Sequence, residues 1–338
     1  MTTPTRFRIG YAFEPNKKNF ITDAVVNESK QRGIDLIKID TDKPLAEQGP
    51  FDCILQRLSN EIRIKQLEEY SSLNTDVLII DPPSKIKVLH DRYSMLHCVE
   101  DMTKMNGQEN EIGIPTFGIP KQVLVTDVDS LMNVNAEGGL KLRFPLIAKP
   151  EMVDGSMQSH ELSLVYNLGA LKKVHTPVVL QEFVNHGGVM LKVYVVGEYV
   201  KCVKRNSVPD ISEEQLDFEK NPVPFSQVSN KPSQEHSDHM SNEETRIENA
   251  VMPPDSLVTC IAKGLREATG LNLMNFDLIR DSRISNHYLV LDINYAPGYE
   301  KMPSYDSVLT DFFCDLRKKK RKVKFYSLFR KFQMLCCG

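Results

Sequence analysis

The chain has 338 residues, 41% of them hydrophobic and 26% charged, the make-up of a soluble globular protein with room for two or three packed units. No apolar stretch approaches the ~20 residues of a membrane span, and the N-terminus, M-T-T-P-T-R-F-R, lacks the apolar core of a signal peptide. The seven cysteines (Cys53, Cys98, Cys202, Cys260, Cys314, Cys336 and Cys337) form no C-x-x-C pair, which argues against zinc and a disulfide framework and for a reducing compartment, cytoplasmic or nuclear. The net charge of −3 hides an asymmetry: from Leu316 onward there are nine Lys or Arg and no acid, so the remainder carries −12.

Arg6–Phe13 reads as a strand and Ile21–Gln31 as a helix stopped by Gly33, followed by strands Ile34–Ile39, Cys53–Leu58 and Val77–Ile80. This β-α-β alternation predicts a small parallel-sheet domain over residues 1–106. Ser84–Thr103 is helical in pattern, and Pro115, Gly118 and Pro120 mark a boundary. A central lobe, 107–184, holds strands Gln122–Thr126, Phe144–Lys149, Leu162–Tyr166 and Val178–Phe183 with a helix at Ala170–Val174. A further lobe, 185–316, opens with two strands joined near Gly197. It carries a Ser-, Glu-, Asn- and Pro-rich surface insertion at about 209–249, partly disordered by composition. Helix Ser256–Thr269, strands Leu273–Ile279 and Tyr288–Ile293, and helix Ser304–Leu316 complete it. Residues 317–338 form a basic tail.

The segment Leu289–Tyr299, L-V-L-D-I-N-Y-A-P-G-Y, is the most informative. Alternation on a strand points Asp292 and Asn294 the same way, and N-F-D-L-I-R offers Asp277 on a neighbouring strand. Two carboxylates and an amide oxygen suit a magnesium ion shared with phosphates; the plainer alternative is a β-turn before Pro297-Gly298. Lys149 closes an apolar strand beside the glycine-containing loop M-V-D-G-S-M-Q-S-H and either neutralises nucleotide phosphates or is a solvated strand end. No Walker A spacing occurs. Gln181, Glu182, Phe183 and Val184 form a strand end able to offer adenine an apolar slot and main-chain partners. Lys192, alone in L-K-V-Y-V-V-G, must face water or an anion. Lys201–Ser207 adds bases on what is otherwise an ordinary edge strand. His160 is a lone histidine, and Asp91-Arg92 could be a surface ion pair. Lys17 and Lys18 follow the first strand, where ligands approach parallel sheets.

In order, the lysine strand, glycine loop, Q-E-F-V hinge, lysine strand and D…D-x-N strands resemble the ATP-grasp fold, here α/β with an N-terminal Rossmann-like parallel-sheet domain. The strings L-H-D-R-x-S-M-L, F-P-L-I-A-K-P, L-Q-E-F-V-N-H-G-G-V, K-V-Y-V-V-G, N-F-D-L-I-R-D and D-I-N-Y-A-P-G-Y strongly resemble the inositol-tetrakisphosphate 1-kinase (inositol 1,3,4-trisphosphate 5/6-kinase) family, in its plant form, over residues 6–316. The resemblance implies ATP and Mg2+ as cofactors and inositol polyphosphates as substrates. It implies that ATP meets Arg92, Lys149, Gln181–Val184, Lys192, Ser207 and Ser229. It places the metal on Asp277, Asp292 and Asn294, and inositol phosphates on Lys17 or Lys18, His160, Lys192, Asn294 and Gly298. Catalysis falls to Lys149, Lys192 and Asp292, with no general base evident.

The chain departs from the family at three places. Gln56-Arg57-Leu58 stands where a His-Lys-Leu string is usual, so Arg57 offers substrate a planar fork instead of a point charge. Gln158 and Glu161 replace bases common in the family, which predicts weaker binding of the most phosphorylated inositols.

The tail R-K-K-K-R-K-V-K-F-Y-S-L-F-R-K-F-Q-M-L-C-C-G reads first as a solvated, disordered end. Lys318–Lys324 as an import-type cluster comes next, and membrane contact through its bases, aromatics and Cys336-Cys337 last. No nucleic-acid partner is indicated, and nothing demands more than a monomer. Rival functions are an ATP-grasp carboxylate–amine ligase, which would share Lys149 and the acids, and a catalytically weakened inositol phosphate binder, against which the intact acid cluster argues.

Overall fold

The computed structural model describes residues 6–14, 20–105, 114–127, 142–153, 159, 161–217, 221–225, 246–299 and 302–336, with Met105 and 323–336 by backbone alone. In chain order the strands are β1 (Phe7–Phe13), β2 (Ile34–Lys38), β3 (Cys53–Arg57), β4 (Leu78–Ile80), β5 (Thr116–Gly118), β6 (Gln122–Val125), β7 (Leu146–Pro150), β8 (Ser163–Val165), β9 (Val178–Glu182), β10 (Val189–Val196), β11 (Tyr199–Asn206), β12 (Val223–Pro224), β13 (Leu273–Arg280) and β14 (His287–Tyr295). The main helices are α1 (Asp23–Gln31), α2 (Glu61–Leu73), α3 (His97–Met105), α4 (Asp255–Thr269) and α5 (Tyr305–Cys336).

The chain divides into two compact units. The first comprises Met1–Pro83, Val195–Lys201 and Ala296–Gly338. Its parallel sheet has the order β2-β1-β3-β4, as the β-α-β alternation predicts. Helices α1 and α2 begin at side-chain caps: Thr22 accepts from Val25 N, and Asn60 from Ile62 N and Arg63 N. Ala12, Ile39, Leu45, Phe51, Ile54, Leu67 and Tyr70 form a core on this sheet, each large apolar side chain contributing about 1.5–3 kcal/mol. Gly10 is required by close approach, since a Cβ there would stand 2.7 Å from Ile39 Cδ1.

Helix α5 overturns the reading of the tail as a disordered end: the expected helix Ser304–Leu316 continues to Cys336. Several of its first bases find partners within the same unit. Arg317 Nη1 donates to the Arg32 carbonyl at 2.7 Å, Lys318 pairs with Asp315 at 2.8 Å, and Lys320 Nζ meets Asp52 Oδ1 at 2.9 Å. Tail residues Lys and Arg are also good helix formers.

The second unit comprises Ser84–Tyr194 and Cys202–Tyr295. One five-stranded sheet runs β12-β8-β7-β9-β6 and the other β11-β10-β13-β14-β5. In the first, Leu146, Ala148, Val178 and Leu180 pack to one side with Ala170 and Leu171, while Ile147 packs to the other with Phe183, Leu164 and Val208. Lys149, two residues after Ile147, therefore shares that second face. In the other sheet Met274, Phe276 and Leu278 are fully buried, and amphipathic α4 buries Leu257, Val258, Ile261 and Leu265. Gly270 ends α4 in the left-handed conformation, φ +70°.

The helix expected over Ser84–Thr103 is broken into short pieces. Turns at Pro83–Ile86, Lys87–Leu89 and Ser94–Leu96 precede α3. Between them the backbone pairs with the chain after β7: Arg92 N donates to the Glu151 carbonyl (2.9 Å) and Val153 N to the His90 carbonyl (2.7 Å). The helix expected at Ala170–Val174 sits instead at Leu168–Leu171, because Asn167 caps it through Ala170 N. Of the insertion at 209–249, the turn Glu213–Leu216 and strand β12 are described, and residues 226–245 lie outside the described residues.

Candidate active site

Strands β13 and β14 pair antiparallel in a register that sets Asp277 opposite Asp292 and Asn275 opposite Asn294. The three residues expected to hold a cation thus share one sheet face. Like charges directly across a ladder are unfavourable by themselves. Lys192 Nζ from β10 offsets one of them, 2.6 Å from Asp277 Oδ1. Burial still pushes the Asp277 carboxyl above its ordinary range; Lys192 pulls it down and Asp292 pushes it further up. Asn294 Nδ2 donates to Asp292 Oδ2 at 3.1 Å, which leaves its own amide oxygen for other use.

Lys149 is 7% exposed and its Nζ donates to the Leu291 carbonyl at 3.1 Å, joining the two sheets of this unit beside the acids. Burial lowers its pKa to about 8; the negative Asp292 and Asp277 oppose this, and the Arg92 guanidinium adds to it. Arg92 is itself buried and donates through Nη2 to the Ser159 carbonyl, yet its Nε lacks a partner among the described residues. A buried guanidinium N–H left unmet, next to a lysine of lowered pKa, fits an anion such as a phosphate. The break in the expected helix is what delivers Arg92 here.

The hinge residues do different things. Gln181, opposite Ile147 on β7, faces the site side of its sheet; it donates to Gln122 Oε1 at 3.2 Å and leaves its own Oε1 buried without a partner among the described residues. Glu182 points away and accepts from Arg143 N at 2.9 Å. Phe183 packs into the core beside Ile147. Val184 joins Ile279 and Leu289, with partly buried Met190 and Leu291 beside them, in an apolar patch on the acid-bearing face of the second sheet. Met190, Ile279, Leu289 and Leu291 were not singled out from sequence. The available signal was their spacing of two from Lys192 and Asp277, and their place just before Asp292.

His186 was also missed. Its Nδ1 lies 2.7 Å from the Val184 carbonyl and its Nε2 2.8 Å from Ser207 Oγ. Burial lowers its pKa, so the ring is neutral and carries one N–H. A carbonyl only accepts, so the proton sits on Nδ1 and Nε2 accepts from the Ser207 hydroxyl. Ser207 is thereby turned so that its oxygen lone pairs are free to accept from a ligand.

On the substrate side, Lys17, Lys18, Gln158, His160 and Ser229 lie outside the described residues. Arg57 and Gly298 belong to the other unit. There, Arg57 ends β3 half-buried, next to Gln56, which is fully buried with its Nε2 on the Asp81 carbonyl at 2.6 Å. Gly298 is exposed, while the next residue, Tyr299, is fully buried and stacks on Tyr305 with ring centroids 5.5 Å apart.

The donor set fits a magnesium ion shared with nucleotide phosphates. Among the described residues no three His, Cys, Asp or Glu converge on one point. Asp277, Asp292 and Asn294 alone under-coordinate a hard cation, and phosphate oxygens and water complete such shells.

Residues 112–315 match the family described as "Inositol 1,3,4-trisphosphate 5/6-kinase ATP-grasp domain", and residues 8–86 match "Inositol 1,3,4-trisphosphate 5/6-kinase pre-ATP-grasp domain". The chain is 47% identical over 319 residues to "Inositol-tetrakisphosphate 1-kinase 1" of Arabidopsis thaliana, covering 94% of this chain and 98% of that one. It is 48% identical over 322 residues to "Inositol-tetrakisphosphate 1-kinase 1" of Zea mays, covering 94% and 91%. Among solved structures, a Chryseobacterium gregarium RiPP-associated ATP-grasp ligase in complex with ADP and a leader and core peptide superposes with a TM-score of 0.57 at 14% identity, over 91% of this chain and 97% of that one. At that identity the likeness is one of fold. With the acids, the buried lysine and the hinge in the order expected of ATP-grasp lobes, and family matches along most of its length, the chain belongs to the inositol 1,3,4-trisphosphate 5/6-kinase family.

Proposed function

We propose that this protein is an ATP- and magnesium-dependent kinase that transfers the γ-phosphoryl group to a ring hydroxyl of inositol polyphosphates. The acceptors are inositol 1,3,4-trisphosphate at position 5 or 6 and inositol 3,4,5,6-tetrakisphosphate at position 1. The observation that carries this reading is the Asp277–Asp292 pair with Lys192 and Lys149 around it, in a chain nearly half identical to kinases named for that chemistry. On this reading residues 1–106 serve the inositol phosphate, 107–184 and 185–316 are the two lobes around ATP, and the protein acts as a monomer.

Phosphoryl transfer depends on positioning and on neutralising charge spread over the phosphoryl oxygens. Asp277, Asp292 and Asn294 would hold the magnesium ion, which when bound neutralises phosphate charge and orients the phosphates. Lys149 and Arg92 face the nucleotide phosphates as a point charge and a planar fork. Lys192, paired with Asp277, lies between the metal side and the acceptor. Val184, Met190, Ile279, Leu289 and Leu291 give the adenine ring an apolar seat, with main-chain groups of Gln181–Val184 at its edge and Ser207 and Ser229 toward the nucleotide. Lys17, Lys18, Arg57, His160 and Gly298 grip the acceptor's phosphates. Glu161, exposed where a base is common in the family, weakens the positive field felt by the most phosphorylated inositols.

The test is ATP consumption with magnesium across inositol tris-, tetrakis- and hexakisphosphates, resolving product isomers. Turnover of the two named substrates is the expected result. ADP release only with an amine and a carboxylate present would instead indicate a ligase, and tight binding without turnover a sensor.

A further inference from the structure

Strand β13 carries a second polar side chain on the face that bears Asp277. Asn275 lies two residues before it and is the register partner of Asn294, as Asp277 is of Asp292. Two amides and two carboxylates therefore form a square on one sheet face. Asn275 is 3% exposed, and its Oδ1 has no hydrogen-bond partner among the described residues. An unmet buried amide oxygen costs about 1–3 kcal/mol, and native proteins keep few of them. Each donor around the square meets an acceptor other than Asn275 Oδ1: Asn294 Nδ2 meets Asp292, Lys192 meets Asp277, and Lys149 meets the Leu291 carbonyl. The Asn275 oxygen is thus an unmet acceptor beside two carboxylates, which are also acceptors only. Such a set is completed by a cation that brings its own donors.

We propose that Asn275 Oδ1 accepts a hydrogen bond from a water molecule in the shell of the magnesium ion held by Asp277, Asp292 and Asn294, and so acts as a positioning residue for the metal. This rests on the reading of those three residues as the metal ligands. Magnesium keeps several of its waters, and each of them donates. Asn275 is also more deeply buried than Asp277, whose side chain is 15% exposed, which suits a metal-bound water better than a bulky sugar hydroxyl. Groups that hold a metal's outer shell change metal affinity by 10–100-fold when replaced.

The experiment uses the full-length protein freed of metal with chelator. Binding of manganese in the presence of ADP is followed by electron paramagnetic resonance, and metal-free stability by thermal melting. Asn275→Leu removes the unmet oxygen, so metal-free stability should hold or rise while manganese affinity falls at least tenfold. A residue with a purely structural role would show the reverse, a lower melting temperature and unchanged affinity; unchanged affinity overturns the proposal. Should Asn275→Leu lose both, Asn275→Asp decides, because it keeps an acceptor oxygen: recovery of affinity to within a few-fold supports the proposal and failure to recover overturns it. Asp292→Asn separates the two levels of the argument. Manganese binding unaffected by Asp292→Asn would sink the metal assignment itself, whereas loss there with none in Asn275→Leu would sink only the role of Asn275.

Discussion

Asp277 and Asp292 face each other across the β13–β14 ladder, with the Lys192 ammonium 2.6 Å from Asp277. Two carboxylates so placed repel each other, and the one ammonium beside Asp277 offsets only part of that, so the fold gives up stability to hold them together. Asp292→Asn should therefore raise the melting temperature of the metal-free protein by a few degrees and lower kinase turnover by two orders of magnitude or more. Melting in chelator and kcat with magnesium check both; full activity in this variant would exclude Asp292 from the site.

Lys149 should tie nucleotide affinity to pH. Its folded pKa is about 8, below the ordinary 10.5, because it is buried. Between those values the unfolded chain binds more protons than the folded one, so this residue makes metal-free stability rise with pH from about 8 to 10.5. Nucleotide phosphates favour its charged form, so ATP affinity should be level below pH 8 and fall above it, with proton uptake on binding. Calorimetry in buffers of different ionisation enthalpy measures that uptake. In Lys149→Met the uptake should vanish and ATP affinity fall at least tenfold.

The orientation of Ser207 depends on His186. Because the ring is neutral with its proton on Nδ1, Nε2 accepts the Ser207 hydroxyl proton. His186→Phe keeps the ring volume but removes that acceptor, at about 1 kcal/mol in stability. The KM for ATP should rise about tenfold while the KM for the inositol phosphate stays within twofold. Equal changes in both would point to a general loosening of the lobe.

Helix α5 anchors the parallel-sheet unit through Arg317 on the Arg32 carbonyl and Lys320 on Asp52, the latter lysine only 19% exposed. Truncation after Leu316 should lower the melting temperature of that unit by a few degrees and make its stability less salt-dependent, since partly exposed ion pairs are each worth about 1 kcal/mol or less and are screened. A melting curve unchanged by truncation at low salt would show that these contacts contribute nothing.

Sequence alone determined the parallel sheet of the first unit and the two strand sets of the lobes, and it put forward Lys149, Lys192, Asp277, Asp292 and Asn294 as the candidates that the structure brings close together. These are legible because strand alternation and the order of charged strand ends are local properties, and because the motifs stand in a recognisable order. Tertiary structure decided the rest. Arg92 sits in what reads as a helix, and only backbone pairing with Glu151 and Val153 breaks that helix and brings the guanidinium beside Lys149. Asn275 reads as an ordinary strand residue until register places it opposite Asn294 and burial leaves its oxygen without a partner among the described residues. The tail reads as a disordered basic end, and its continuation of α5 rests on partners at Arg32 and Asp52, hundreds of residues away in sequence. Local propensity cannot report the first two and gives only part of the third, because each involves a partner distant along the chain.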